Sequence, residues 1–422
     1  MSSVLAGHIM TALRVAVRLA IALVVVGCIG AALWLMALGQ PPPSQTGPAD
    51  GGQQERTESG VTWVPGIGNR VYGNCTRILS IDGGGVRGLV PALMLAEIER
   101  RTGRPIFQQF DLVVGTSTGA ILALGLTRPS NADARRAAFS AQDLVRLYRE
   151  QATHIFPRSF APLRYVRRIF RPKFSPDDVE AIFDRYFEDV RLIEALTNVA
   201  VPAYDIEDNR RLWFRSISSA HGDVLMRDLV RGATAAPTFF PPARFAVKRR
   251  VSAKGHVALV DGALFANNPS QDALLFGQQL RNQGDKSVLL VSLGTGRSAR
   301  QNSFEAAWGW GVLGWMDPLL DIAFSDPAID DLMSRELEGR GNYFRLQVDL
   351  GAVFVDLDDS SPEATQRLEK STASFMTRQA EQISSLVSEL SLPRPPNCGR
   401  PVGADYERPD GARVRTNPVK AN

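Results

Sequence analysis

The chain has 422 residues, 44% hydrophobic and 22% charged, a balance near the globular average that excludes wholesale disorder and a multi-span membrane protein. Its 48 basic and 44 acidic residues leave a formal charge of +4, too mild to imply a nucleic-acid partner. Three cysteines without a C-x-x-C pair, and only four histidines, leave almost nothing to ligate a structural metal.

Leu19 to Leu38, LAIALVVVGCIGAALWLMAL, carries no charge over 20 residues, the length a helix needs to cross the hydrocarbon core. It reads as a transmembrane anchor, since a cleavable signal peptide has a shorter apolar stretch. Val25-Val26-Gly27-Cys28 also resembles a lipoprotein cleavage box, but strongly apolar residues follow Cys28. Arg14 and Arg18 precede the run, and no Lys or Arg follows before Arg56. Residues 1–18 are therefore expected in the cytoplasm and the bulk of the chain outside, secreted if the run is cleaved. Residues 39–74, dense in Pro, Gly, Gln and Ser, read as a linker. A folded domain is expected over 75–391 and a flexible Pro-rich tail over 392–422. An outward position would permit a disulfide between Cys75 and Cys398.

Arg77 to Ile81 is a short apolar run suited to a buried strand, and Leu89 to Arg101 places apolar residues at helical spacing. Between them lies Asp82-Gly83-Gly84-Gly85-Val86-Arg87-Gly88. Consecutive glycines bring backbone N–H groups close to a ligand, and the helix N-terminus adds partial positive charge, so the loop is suited to an anion. Gly83, Gly85 and Gly88 also satisfy the dinucleotide pattern G-x-G-x-x-G. That reading wants an acidic residue at the end of a second strand, whereas Glu97 and Glu99 fall inside the predicted helix.

Phe110 to Val114 reads as a second buried strand, and Ala120 to Leu124 opens a helix-forming stretch. Their junction is Gly115-Thr116-Ser117-Thr118-Gly119, the small-flanked serine of a nucleophile elbow. Such a serine needs a base within hydrogen-bond reach. His154, His221 and His256 all fall in loop-like or charged surroundings. Asp261 is better placed, because an apolar strand from His256 to Val260 ends directly on it, and carboxylates at strand C-terminal ends lie where active sites of open α/β sheets collect.

DGGGVRG at 82–88, GTSTG at 115–119 and DGA at 261–263, in that order, resemble the patatin-like phospholipase family. Ala236-Pro237-Thr238-Phe239-Phe240-Pro241-Pro242 looks like that family's proline-rich block, and the resemblance spans residues 75–300. It implies a three-layer α/β/α fold around a central, mostly parallel sheet. It implies a Ser–Asp dyad without histidine, with Ser117 as nucleophile and Asp261 as base. The N–H groups of Gly84 and Gly85, with Arg87 nearby, would form the oxyanion hole, and Asp82, Gly83, Gly88, Gly115, Gly119 and Gly262 would shape the motifs. No cofactor or metal is expected. The expected partner is a phospholipid or other acyl lipid at a membrane, and no protein partner is legible. A Ser-Asp-His hydrolase and a catalytically silent lipid-binding scaffold remain as alternatives.

Trp308, Trp310 and Trp315 could form a lipid-facing lip or pack in a core, and Arg158, Arg164, Arg167, Arg168 and Arg171 could meet anionic headgroups or solvent. The Asp356–Asp359 cluster matches no calcium-loop spacing.

Overall fold

The computed structural model describes residues 74–155, 172–280, 287–297, 303–309, 318, 322, 327–337, 343–351 and 355–395, with the backbone of 405–407 and 413–415. The apolar run 19–38, Cys398, Trp310, Trp315 and Arg158 to Arg171 lie outside the described residues. Among the described residues no helix is long and apolar enough to cross a membrane.

The chain divides into two units, Met1–Arg56 with Gln301–Asp321, and Thr57–Arg300 with Ile322–Asn422. In the first, the described element is a short helix, Phe304–Trp308, whose terminal rings stand 5.5 Å apart, both exposed.

The second unit is built on strands β1 (Thr76–Ile81), β2 (Leu112–Gly115), β3 (Asn198–Asp205), β4 (Arg210–Arg215), β5 (Ala243–Ala246), β6 (His256–Asp261), β7 (Val288–Leu293) and β8 (Tyr343–Leu346). They form one sheet in the order β5-β6-β3-β2-β1-β7-β8, with β4 beside β3. Strands buried on both faces read as near-continuous apolar runs, as β1, β2 and β7 do. Their side chains alternate between two cores. Leu79, Ile81, Val113, Leu289 and Val291 face one, and Ile78, Leu112, Val114, Val288 and Leu290 face the other.

The first core is covered by helices α1 (Leu89–Thr102), α2 (Thr118–Thr127), α3 (Ala141–Ile155), α4 (Asp177–Phe187) and α5 (Met226–Ala233). The second is covered by α6 (Ser270–Gln279) and α7 (Pro327–Glu336). The layers are thus α/β/α. Helices α8 (Pro362–Arg378) and α9 (Ala380–Ser391) pack on α1.

The sheet is mixed rather than mostly parallel. Pairs β1–β2, β1–β7, β2–β3 and β7–β8 are parallel, whereas β3–β4, β3–β6 and β5–β6 are antiparallel. The reason at β3–β4 is a tight connection from Asp205 to Arg210, with Asn209 at φ 49°; so short a loop can only reverse the chain.

One consequence positions the site. On β3, β4 occupies a single edge over Ala200–Asp205, so β2 and β6 must share the other. There Val114 of β2 pairs with Ala200, and Asp261 of β6, running the opposite way, pairs with Ala203. The C-terminal ends of the two strands converge across three residues, about 10 Å at ~3.3 Å per residue. Pro202, which cannot donate a ladder bond, falls in that gap.

Hydrogen bonds are described past residue 391. Arg77 donates to the carbonyls of Leu390 and Leu392, each at 2.7 Å, and Arg394 donates to both carboxylate oxygens of Asp111 at 2.6 and 2.7 Å. Residues Asp405–Glu407 and Arg413–Arg415 pair as an antiparallel ribbon. Cys75 is disulfide-bonded.

Candidate active site

Strand β2 delivers its chain into a turn that only small residues permit. A Cβ on Gly115 would stand 2.0 Å from Gly119 O, and one on Gly119 would stand 2.4 Å from Ile81 O. Between them Ser117 takes φ 53° and ψ −120°, a strained conformation for a residue with a Cβ and the one a nucleophile elbow requires. The strain projects Oγ forward while α2 begins at the next residue. Among the described residues no acceptor meets the Thr118 N–H, which stands beside Ser117 at the positive end of the α2 dipole.

Across the convergence point, Ser117 Oγ donates to Asp261 Oδ2 at 2.6 Å. The other carboxylate oxygen accepts from Ala263 N–H at 2.9 Å, which fixes the plane of the group. Gly262 makes that turn possible, since a Cβ there would stand 2.4 Å from Pro202 O. Asp261 is 1% exposed and Ser117 9%. Burial pushes the Asp261 carboxyl up to about 7, against the opposing pull of the Ser117 hydroxyl and the Ala263 N–H. A carboxylate so disfavoured as an anion is a stronger base than a solvated aspartate.

The glycine loop lies against the elbow, with the Cβ position of Gly83 3.3 Å from Ser117 Cβ. It is held at both ends: Gly83 N–H donates to Asn267 O at 3.0 Å, Thr295 Oγ1 donates to Gly83 O at 2.7 Å, and Val86 N–H donates to Leu357 O at 2.8 Å. Among the described residues the N–H groups of Gly84 and Gly85, between those anchors, meet no acceptor. Gly85 has φ 56° and a Cβ position 2.0 Å from Leu357 O, so no side chain is admitted there. Arg87 lies two residues past Gly85. Its guanidinium is buried and donates through Nε to Val355 O at 2.8 Å, tying down the segment that covers the loop, and it does not line the cleft.

A cleft leads away from Ser117 and Asp261 between helices. Its walls are Ile121 of α2, Tyr148, Ala152 and Ile155 of α3, Val179 and Phe183 of α4, and Phe239, Phe240 and Leu357. The i, i+4, i+7 spacing on α3 and i, i+4 on α4 put apolar stripes on facing helix surfaces. Among the described residues no histidine lines it. His154 is exposed at the end of α3, His221 packs on Phe214 at 5.3 Å, and His256 Nε2 lies 2.9 Å from Glu207. Among the described residues no cluster of three His, Cys, Asp or Glu is placed to hold a metal, and Asp358 of the acidic cluster pairs with Lys173.

Asn267, Thr295 and Leu357 support the loop from residues that sequence reasoning passed over. Asn267 follows Asp261 by six residues and was open to suspicion as a polar residue near a candidate base. Thr295 and Leu357 carry no local signal.

The family described as Patatin-like phospholipase matches residues 79–274. "Patatin-like protein 1" of Arabidopsis thaliana is 29% identical over 74% of this chain and 84% of its own length. "Patatin-like protein 2" of the same plant is 31% identical over 66% of this chain and 77% of its own length. "Probable inactive patatin-3-Kuras 1" of Solanum tuberosum is 30% identical over 68% and 83%, so likeness of this degree extends to a protein whose name records inactivity.

Proposed function

Because the chain belongs to the patatin-like phospholipase family, we propose that it is a lipid acyl hydrolase working through Ser117 and Asp261. The observation that carries the reading is the 2.6 Å hydrogen bond from Ser117 Oγ to a buried carboxylate, beside Gly84 and Gly85 N–H groups that meet no acceptor among the described residues. Asp261 takes the Ser117 proton as Oγ attacks the ester carbonyl. The N–H groups of Gly84, Gly85 and Thr118 receive the oxyanion, a charge they are already arranged to meet. On collapse the ester C–O bond breaks and the leaving alcohol takes the proton from Asp261. Water then gives a proton to Asp261, attacks the acyl-serine and releases the fatty acid, with the proton returning to Ser117. The apolar cleft would hold the acyl chain.

A histidine base is disfavoured by the placement of His154, His221 and His256 away from the cleft lining. The apolar run 19–38 would hold the domain at the bilayer that contains its substrate. The test is fatty-acid release from mixed phospholipid vesicles by the full chain and its Ser117→Ala and Asp261→Asn variants. Loss in both is expected. Turnover surviving Asp261→Asn would reject the dyad, and an inert parent would leave the lipid-binding scaffold as the better account.

A further inference from the structure

The glycine loop and the elbow share a footing that the dyad chemistry does not use. Arg345, buried in β8, grips the Asp82 carboxylate with both terminal nitrogens, Nη1 to Oδ1 at 3.1 Å and Nη2 to Oδ2 at 2.6 Å. Nη1 also donates to Ser292 Oγ of β7 at 2.8 Å, and Nε stands 3.0 Å from Asp330 of α7. Asn268 Nδ2 donates to the same Asp330 oxygen at 2.8 Å. Burial alone would lower the Arg345 pKa, but Asp82 and Asp330 more than offset it, so the side chain stays a cation.

Such a cluster is weak grounds for stability, because desolvating the charges consumes most of their attraction. Its position says more. Asp82 N–H donates to Leu293 O at 3.0 Å, and the residue leads directly into the loop. The elbow rests on the same stretch of backbone, since a Cβ on Gly119 would stand 2.9 Å from Asp82 O and 2.4 Å from Ile81 O. On the loop's far side, Asn267 O accepts from Gly83 N–H, and the next residue is the Asn268 that reaches Asp330. A ring therefore runs from Asp82 through Arg345, Asp330, Asn268 and Asn267 back to Gly83. A bidentate guanidinium allows the Asp82 carboxylate one orientation, which a hydrated carboxylate would not keep.

We propose that Arg345 is a positioning residue for ester hydrolysis: through Asp82 it holds the Gly84 and Gly85 N–H groups in register with Ser117. The assignment rests on the hydrolase reading above. Donors to an oxyanion act only when the charge develops, so their displacement lowers kcat and leaves KM to the apolar cleft. A ~1 Å misplacement of catalytic groups costs on the order of 10²-fold in rate.

The deciding variant is the double change Asp82→Asn with Arg345→Gln in the full chain, which leaves no charge of the pair buried alone. A soluble short-chain acyl ester serves as substrate, with circular dichroism and thermal melting as the check on folding. The expected result is a folded protein whose kcat falls about 30- to 100-fold, as displaced oxyanion donors require, with KM within about threefold. Arg345→Lys alone should recover part of the loss. A folded double variant with parental kcat, or a loss lying in KM, would overturn the assignment. Should the double variant not fold, Asp330→Ala decides, since it removes the brace and leaves the Asp82–Arg345 contact. A fall in kcat of at least about threefold supports the assignment, and parental kcat overturns it. A parent that hydrolyses no acyl ester overturns the hydrolase reading and this assignment with it, whereas an active parent with unaffected variants overturns this assignment alone.

Discussion

Lowering the pH should silence turnover well above the range in which an ordinary aspartate titrates. Burial pushes Asp261 up to about 7 from 3.8. Only the ionised carboxylate can take the Ser117 proton, and by simple titration that fraction falls from about 90% at pH 8 to roughly 10% at pH 6 and ~1% at pH 5. The rate constant kcat/KM should therefore drop about tenfold per pH unit below 7, where an unshifted aspartate would leave it flat to about pH 5. Stability runs the other way. A carboxyl whose folded pKa is raised makes folding disfavour its ionised form, so the penalty is full above about pH 7 and is relieved as pH falls towards 3.8. At about 1.4 kcal/mol per pH unit the penalty is on the order of 4 kcal/mol. Asp261→Asn removes it but gives up an acceptor, at about 1–3 kcal/mol. The variant should be inactive yet melt a few degrees above the parent at pH 8, an advantage gone by about pH 4–5. Asp82, also pushed up by burial, to about 6, is common to parent and variant and cancels in the difference. The assay pairs pH–rate profiles on an uncharged ester with melts across the same range. A flat rate from pH 5 to 8 would refute the reasoning, as would an acid limb that vanishes in His221→Ala or His256→Ala.

Two further outcomes follow from packing. Gly119→Ala places a methyl 2.4 Å from Ile81 O, so the elbow must shift, with a stability loss of about 1–3 kcal/mol or more, read by denaturant unfolding, and near-complete loss of turnover. Along α3, Ile155 lies seven residues beyond Tyr148, which hydrogen-bonds Thr118, so the cleft extends about 10 Å from the nucleophile at ~1.5 Å per residue. Ala152→Phe should block it midway: kcat/KM on long-chain esters should fall at least about tenfold relative to acetyl or butyryl esters, and an unchanged ratio would place the acyl chain elsewhere.

What was legible in the sequence is what local backbone geometry demands. Gly83, Gly84 and Gly85 had to be glycine because Asn267, Thr295 and Leu357 O occupy the space a Cβ would take, and Gly115 and Gly119 because the elbow backbones touch. Asp261 was found because an apolar strand ended on it. What the sequence could not show depends on distant partners. Arg87, expected near the oxyanion hole, hydrogen-bonds a carbonyl 268 positions away that no local signal announces. The Asp82–Arg345 pair spans 263 positions, and nothing near Arg345 marks it as more than a strand residue. The sheet was expected to be mostly parallel because the family resemblance implies such a sheet. The Glu207-Asp208-Asn209 turn that reverses β3 into β4 was a readable signal passed over.

That antiparallel departure bears on why the proposed dyad would need no histidine. In a parallel sheet a strand-end carboxylate sits beside the nucleophile's strand, one ladder spacing or more away, and a third residue commonly bridges the distance. Here β6 runs against β2 on the same edge of β3, so the two strand ends meet head-on instead of side by side. Three residue steps along β3, from Ala200 to Ala203, separate Val114 from Asp261, and the elbow takes three residues, Gly115 to Ser117, in crossing the gap. Oγ arrives within 2.6 Å of the carboxylate, leaving no room for an intervening imidazole. In the proposed dyad, direct contact would place the whole burden of basicity on one carboxylate, and the same enclosure that excludes a bridging residue supplies the desolvation that raises its pKa. Topology and electrostatics are then two results of one strand reversal: relaxing the burial of Asp261, for instance by opening the contact of Gly262 with Pro202, should weaken the base even where the hydrogen bond to Ser117 survives.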